Sequence, residues 1–129
     1  MQPIKRVIVT AGEPAGIGPD LAVALSQKEW PHQVVICADK SLIAERAQQL
    51  GISVEFTDFD PQNFDSHTPG RLVILHEPLA VPAKAGVLDE RNGQYVLNTL
   101  EKAAKGCMKG EFDAIVTGLC TKGDQSRRR

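Results

Sequence analysis

Four short apolar runs punctuate the chain: "RVIVTA" at 6 to 11, "QVVICA" at 33 to 38, "RLVILH" at 71 to 76 and "DAIVTG" at 113 to 118. Each is β-branched and nearly continuous, the pattern of strands buried on both faces of a mostly parallel sheet. Between them, apolar positions recur at helical spacing. Gly18 is expected to cap a first helix, with Pro19 at its first position, Asp20 at the positive end of its dipole, and Leu21, Ala24 and Leu25 on one face. A second helix is expected from about Leu42 to Leu50, with Ile43, Ala47 and Leu50 on one side and Gly51 as its stop. The longest helix runs from Asp89 as N-cap to Lys109 before Gly110. Val96, Leu100, Ala103, Ala104 and Cys107 form its apolar stripe, and Glu101 and Lys105 form an i,i+4 pair opposite. Gly93 inside that helix costs roughly 1 kcal/mol against Ala, so close approach of another backbone is expected there.

The polar stretch "TDFDPQNFDSHTPG" at 57 to 70 reads as a surface excursion within the domain, and "LAVPAKAG" at 79 to 86 as a second irregular connection. The alternation of strands and helices predicts an α/β fold: an open, twisted, mostly parallel sheet with helices on both faces. Ligands in such sheets bind beyond the carboxyl ends of the strands. Two loops lie at those ends, "TAGEPAGIGPD" after the first strand and "TGLCTKG" after the last.

With 129 residues, 42% hydrophobic and 24% charged, the chain has the size and balance of one globular domain. Its 15 basic and 16 acidic residues leave a net charge of −1 and no basic stripe, which argues against nucleic acid or a membrane surface as partner and favours a small molecule. No apolar run approaches the roughly 20 residues that span a bilayer, and the start lacks a secretory h-region, so a cytoplasmic location is expected. Cys37, Cys107 and Cys120 are scattered, without a C-x-x-C pair, and read as structural thiols. His32, His67 and His76 show no ligand spacing and are expected to lie far apart.

In the first loop, Gly12, Gly16 and Gly18 let the backbone approach a ligand, while Pro14 and Pro19 hold the loop in shape. The amides at the start of the following helix suit an anion, with phosphate the natural candidate. Neither familiar fingerprint is met. G-x-G-x-x-G fails at Leu21, and G-x-x-x-x-G-K fails at Ile17 and Gly18. Glu13 would repel a bound phosphate unless a cation or a sugar hydroxyl lay between them, or unless it pointed elsewhere. A tight turn without a ligand is the plainer alternative. At the other end, Lys122 could neutralise a phosphate or carboxylate, or simply be solvated.

The strings "VIVTAGEPAGIGPDLAVAL", "EWPHQVVICAD" and "NGQYVLNTLEKAAKGCMKGEFDAIVTG" together resemble the N-terminal part of the 4-hydroxythreonine-4-phosphate dehydrogenase (PdxA) family, over nearly all of residues 4 to 118. The resemblance implies an isocitrate-dehydrogenase-like fold, truncated here, a homodimer, and a place in pyridoxal 5′-phosphate biosynthesis. It further implies a reaction in which NAD or NADP oxidises the secondary alcohol of 4-phosphohydroxy-L-threonine and the product loses CO₂. A divalent metal, zinc, magnesium or cobalt, is held in the family by three histidines and acts as a Lewis acid. On this resemblance Gly12, Glu13, Gly16, Gly18, Asp20, Thr117, Gly118 and Lys122 are the candidates that border the ligand cleft.

Two departures bear on activity. Where the family carries T-G-P-x-x-K, Thr117, Gly118 and Lys122 match but Leu119 replaces the proline. The family's metal histidines and its phosphate-binding G-H-T segment lie further along than this sequence reaches, and none maps onto His32, His67 or His76. Residues 1–118 therefore read as the N-terminal α/β part and 119–129 as a divergent polar tail. Truncation, with a shift of reading frame around Leu119, is the expectation; deliberate shortening and family divergence are the alternatives. The competing functional reading is a non-catalytic nucleotide-binding or interaction module, in which Asp39 after the second strand would hold a ribose hydroxyl.

Overall fold

The computed structural model describes residues 4–84 and 86–117. Five strands, β1 (Arg6–Thr10), β2 (Gln33–Ala38), β3 (Glu55–Asp58), β4 (Arg71–His76) and β5 (Ala114–Thr117), form one sheet in the order β3-β4-β2-β1-β5, every pairing parallel. Three helices connect them: α1 (Gly18–Ser26), α2 (Lys40–Gln49) and α3 (Gly93–Met108). The open α/β architecture is thus the one the apolar runs predict. β3 is an addition, because "EFTD" carries a single large apolar residue and, among the described residues, pairs only with β4 at the sheet's edge.

Side chains alternate across the pleat and build a core on each face. On one face Ile36, Ala38, Leu72 and Ile74 pack under Ala22 and Val23 of α1 and Ile43 and Ala47 of α2. On the other, Ile8, Val35 and Cys37 pack under Ala103 of α3 and Phe112. The chain runs outward from β1 through α1 to β2, and later returns through α3 to β5 on β1's other side. The direction of winding therefore reverses between β1 and β5. In sheets of this kind a crevice opens at that point, outside the carboxyl ends of the two strands.

Several helix faces differ from the expected ones. α1 buries Gly18, Pro19, Ala22, Val23 and Ser26, while Leu21 and Ala24 are exposed and Leu25 is half-buried. The helix lies so close to the sheet that only small residues fit beneath it, and the leucines turn toward β5. α3 is centred on Tyr95, Thr99, Ala103 and Gly106, with Val96, Leu100 and Cys107 on the flank and Ala104 exposed. The ring of Phe112 occupies the space a Cβ on Gly106 would need. α2 begins at Lys40 under an Asp39 cap, and Leu50, expected inside, is exposed. β5 is no buried strand: Ile115 and Val116 are exposed, and among the described residues it pairs only with β1. Gly93 is the first residue of α3 with open space around its Cβ position, so the expected backbone contact does not occur.

The segment after β3 crosses to β4 without a helix. It is tied down by the buried guanidinium of Arg6, which donates to the Pro61 and Asn63 carbonyls at 3.0 and 2.8 Å. The Gln33 side chain donates to the carbonyls of Asn63 and Asp65. The stretch at 57 to 70 thus starts inside a strand and continues as a pinned crossover.

Candidate functional site

The Gly-rich loop leaves β1 at Ala11 and enters α1 at Gly18. Gly12 takes the left-handed conformation, φ 75°, that glycine adopts at little cost. Gly18 has another use: a Cβ there would lie 1.6 Å from the Ala11 carbonyl oxygen, so only glycine lets α1 start hard against the strand end. Gly18, Leu21 and Leu25 on one side and Val116 and Thr117 on the other line a mainly apolar cleft of about 360 Å³ that starts at the carboxyl ends of β1 and β5 and continues along α1 to Lys28.

Inside the loop, five successive carbonyls accept hydrogen bonds from the protein: Glu13 from the Gly16 amide, Pro14 and Gly16 from Arg46, Ala15 from the Gly86 amide, and Ile17 from the Leu21 amide. The amides of Ile17 and Gly18 have no acceptor among the described residues. The Gly16 amide is spent on the turn, donating to the Glu13 carbonyl at 3.0 Å. Glu13 bends back, its carboxylate accepting from the Ala15 amide at 3.3 Å, which answers the repulsion its position raised. Asp20 forms a 2.7 Å ion pair with Arg46. Of the candidates, the structure thus brings Gly18 and Thr117 to one cleft and engages Glu13, Gly16 and Asp20 within the protein. Gly118, Lys122 and the tail lie outside the described residues.

Arg46 is the participant the sequence reading passed over. A signal was present, since it shares a helix face with Leu42, Ile43 and Ala47, and a charge among apolar neighbours needs a specific partner. Asp39, by contrast, has a structural role. Its Oδ1 accepts from the Ser41 and Leu42 amides and its Oδ2 from the Leu79 amide, so the carboxylate caps α2 and braces the 79–82 connection. That structural role accounts for Asp39 without a ribose hydroxyl, the partner the nucleotide-module alternative gave it.

The histidines are not all far apart. The His67 amide donates to the His32 carbonyl, which makes these two neighbours, while His76 lies at the carboxyl end of β4. Each ring has a backbone partner: His32 Nδ1 accepts from the Lys5 amide, His76 Nδ1 accepts from the Lys40 amide, and His67 Nε2 lies 3.1 Å from the Ser26 carbonyl. Among the described residues no group of three or more His, Cys, Asp or Glu could hold a metal ion, so these residues do not fit a metal centre of their own. Cys37 is fully buried, and burial pushes its thiol up to about 12. Cys107 is half-buried, and Cys120 lies outside the described residues.

A sequence model of the family described as pyridoxal phosphate biosynthetic protein PdxA matches residues 29–127. The 4-hydroxythreonine-4-phosphate dehydrogenase of Vibrio cholerae is 62% identical over 120 residues, covering 92% of this chain and 36% of the relative. That of Citrobacter koseri is 44% identical over 124 residues, covering 95% and 38%. Two solved structures share the fold. The 4-hydroxythreonine-4-phosphate dehydrogenase of Klebsiella pneumoniae has a TM-score of 0.81 at 22% identity, over 95% of this chain and 39% of that one. The one from Burkholderia phymatum has a TM-score of 0.82 at 16% identity, over 97% and 39%. The chain spans little more than a third of the length of the curated relatives it matches. On the match over residues 29–127, it belongs to the PdxA family of pyridoxal phosphate biosynthetic proteins.

Proposed function

We propose that residues 1–118 are the N-terminal α/β part of an NAD- or NADP-dependent dehydrogenase that oxidises 4-phosphohydroxy-L-threonine, acting as a cytoplasmic homodimer in pyridoxal 5′-phosphate biosynthesis, and that the sequence of 119–129 is a divergent polar tail. The carrying observation is that Gly18, where the Gly-rich loop enters α1, faces Thr117 at the end of β5 across one cleft. On this reading Gly12, Glu13 and Gly16 belong to the loop behind Gly18, Asp20 to the first turn of α1, and Gly118 and Lys122 remain candidates outside the described residues. The divalent metal and the substrate phosphate are held by residues in the part of the relatives that this chain does not span. Holding cofactor, alcohol and phosphate together supplies roughly 7–11 kcal/mol of the barrier in well-oriented reactions. One wall cannot do that.

The test is an in-frame fusion of residues 1–117 to the remaining length of the Vibrio cholerae relative, assayed by NADH absorbance with 4-phosphohydroxy-L-threonine, NAD and zinc or magnesium. Turnover by the fusion and none by the 129-residue chain is expected. A folded fusion without turnover, or steady turnover by the short chain free of contaminating enzyme, overturns the reading.

A further inference from the structure

One row of side chains marks where the sheet runs out from under its helices. The strand registers set Ile74, Ile36, Val9 and Val116 side by side across β4, β2, β1 and β5, so all four point to the face that α1 and α2 cover. Ile74 and Ile36 are buried, Val9 is half-buried, and Val116 is 51% exposed. The flank of α1 borders the same opening. Leu21, Ala24, Leu25 and Lys28 recur at helical spacing on its side toward β5, with Leu21 48% exposed and Leu25 half-buried. Flank and strand together line the stretch of the cleft that runs along α1, a groove of the kind in which an amphipathic segment lays its apolar face. The occupant follows from β5 itself. Its sequence "AIVT" is composed like a strand buried on both faces, yet all four residues are exposed, so it is suited to a cover that the described residues do not supply. The Vibrio cholerae relative is matched over only 36% of its length, so most of its polypeptide lies outside the match. Chain continuing from Thr117 starts on the wall of the groove, where a short flexible tether holds a segment at an effective concentration on the order of millimolar.

We propose that the groove between α1 and β5 is an intramolecular docking site: an amphipathic segment of the polypeptide that the relatives carry beyond the matched stretch lays its apolar face on Leu21, Leu25 and Val116. The carboxyl end of the cleft, between Gly18 and Thr117, stays open to a ligand. The inference rests on the reading of this chain as the N-terminal part of the dehydrogenase.

Thiol accessibility tests it. Leu21→Cys and Val116→Cys are compared in the 129-residue chain, kept dilute enough to sediment as one copy, and in the fused protein, with alkylation at each site read by mass spectrometry. At both sites alkylation is expected to be at least about tenfold slower in the fused protein, the protection a packed segment gives. The buried Cys37 stays unreactive in both and reports that the fold is intact. Equal rates in the two proteins at both sites overturn the proposal. Protection of the fused protein that is lost on dilution to a single copy overturns it as well, because the cover then belongs to a second chain. Turnover of 4-phosphohydroxy-L-threonine reports separately on the dehydrogenase reading. A protected but inactive fusion sinks that reading and keeps the groove, and an active fusion with both sites open does the reverse.

Discussion

Gly18 and Gly93 occupy the first positions of two helices, yet an added methyl group meets opposite surroundings. At Gly18 it would collide with backbone, 1.6 Å from the Ala11 carbonyl oxygen, and the only relief is to lift α1 from the sheet. G18A is therefore expected to cost at least about 1–3 kcal/mol, as overpacked sites do. At Gly93 nothing lies within 4 Å and φ is −60°, so G93A is expected to stabilise by about 0.4–1 kcal/mol through the unfolded chain. Urea midpoints of both variants check the pair, and equal shifts would contradict it. That the loop needs stiff and bare residues was legible in the sequence. Which glycine touches backbone was not, because it depends on how closely a helix approaches a strand. Cys37 offers a pH test of the same packing. The unfolded thiol releases its proton near its ordinary value of 9.0, while burial holds the folded one up to about 12. The unfolded state thus binds fewer protons in that window, so stability is intact below pH 9 and falls as pH rises toward 12. The phenol of Tyr95, also raised by burial, pulls the same way above its ordinary 10.0. C37A should make the decline in urea midpoint between pH 8 and 11 shallower; an unaltered slope would mean that the thiol is not buried as described.

Among the elements, the apolar runs of β1, β2 and β4 were legible because burial within a sheet writes itself into the sequence, and β5 carries the same pattern although its side chains are exposed here. β3 was not, since an exposed edge strand with one phenylalanine carries no such run. The face of α1 was misleading for a related reason: its largest apolar residues look inward-facing by type, but the close approach fixed at Gly18 admits only Ala22, Val23 and Ser26. Likewise, the 59 to 70 crossover has the composition of a free loop and is held by a residue far from it in sequence. Arg6, at the amino end of β1, donates to Gln33, Glu111, Pro61 and Asn63, and its guanidinium lies 4.1 Å from the centre of the Phe64 ring. Arg6→Met takes the donor from the buried Gln33 side-chain oxygen and from the Pro61 and Glu111 carbonyls, while Asn63 keeps its bond from Gln33, and a buried group left unpaired costs about 1–3 kcal/mol. The variant is expected to lower the urea midpoint and to open the 59 to 66 stretch to limited proteolysis. A lowered midpoint with that stretch still protected would show that Arg6 supports the sheet end but does not clamp the crossover.

At the level of the whole molecule, strand order was beyond reach of the sequence, because nothing in a parallel strand's composition names its neighbours. The crevice between β1 and β5 therefore follows from the topology and not from the sequence, although the loop after β1 was legible as a candidate. The same topology leaves a consequence on the surface. β5 carries Ile115 and Val116 exposed to 39% and 51%, beside Leu21 at 48%, and pairs on one side only among the described residues. An apolar edge strand with unpaired backbone groups is a template for further strand pairing, and a charge on the edge is the usual deterrent. In the structurally similar dehydrogenases this chain corresponds to about two-fifths of the polypeptide, so the edge has more chain available to cover it. The 129-residue chain by itself is thus expected to associate with rising concentration, its weight-average mass in sedimentation climbing above the 14.0 kDa of one copy. Val116→Lys places an ammonium group on that edge without touching either core, and should return the mass toward a single copy while leaving the helical circular dichroism unchanged. In the fused protein the wild-type edge should cause no concentration-dependent growth beyond one fixed oligomer. If Val116→Lys leaves the association of the short chain as strong as before, the contact does not run through β5, and the apolar flank of α3 around Leu97 and Met108, exposed to 59% and 87%, becomes the surface to change next.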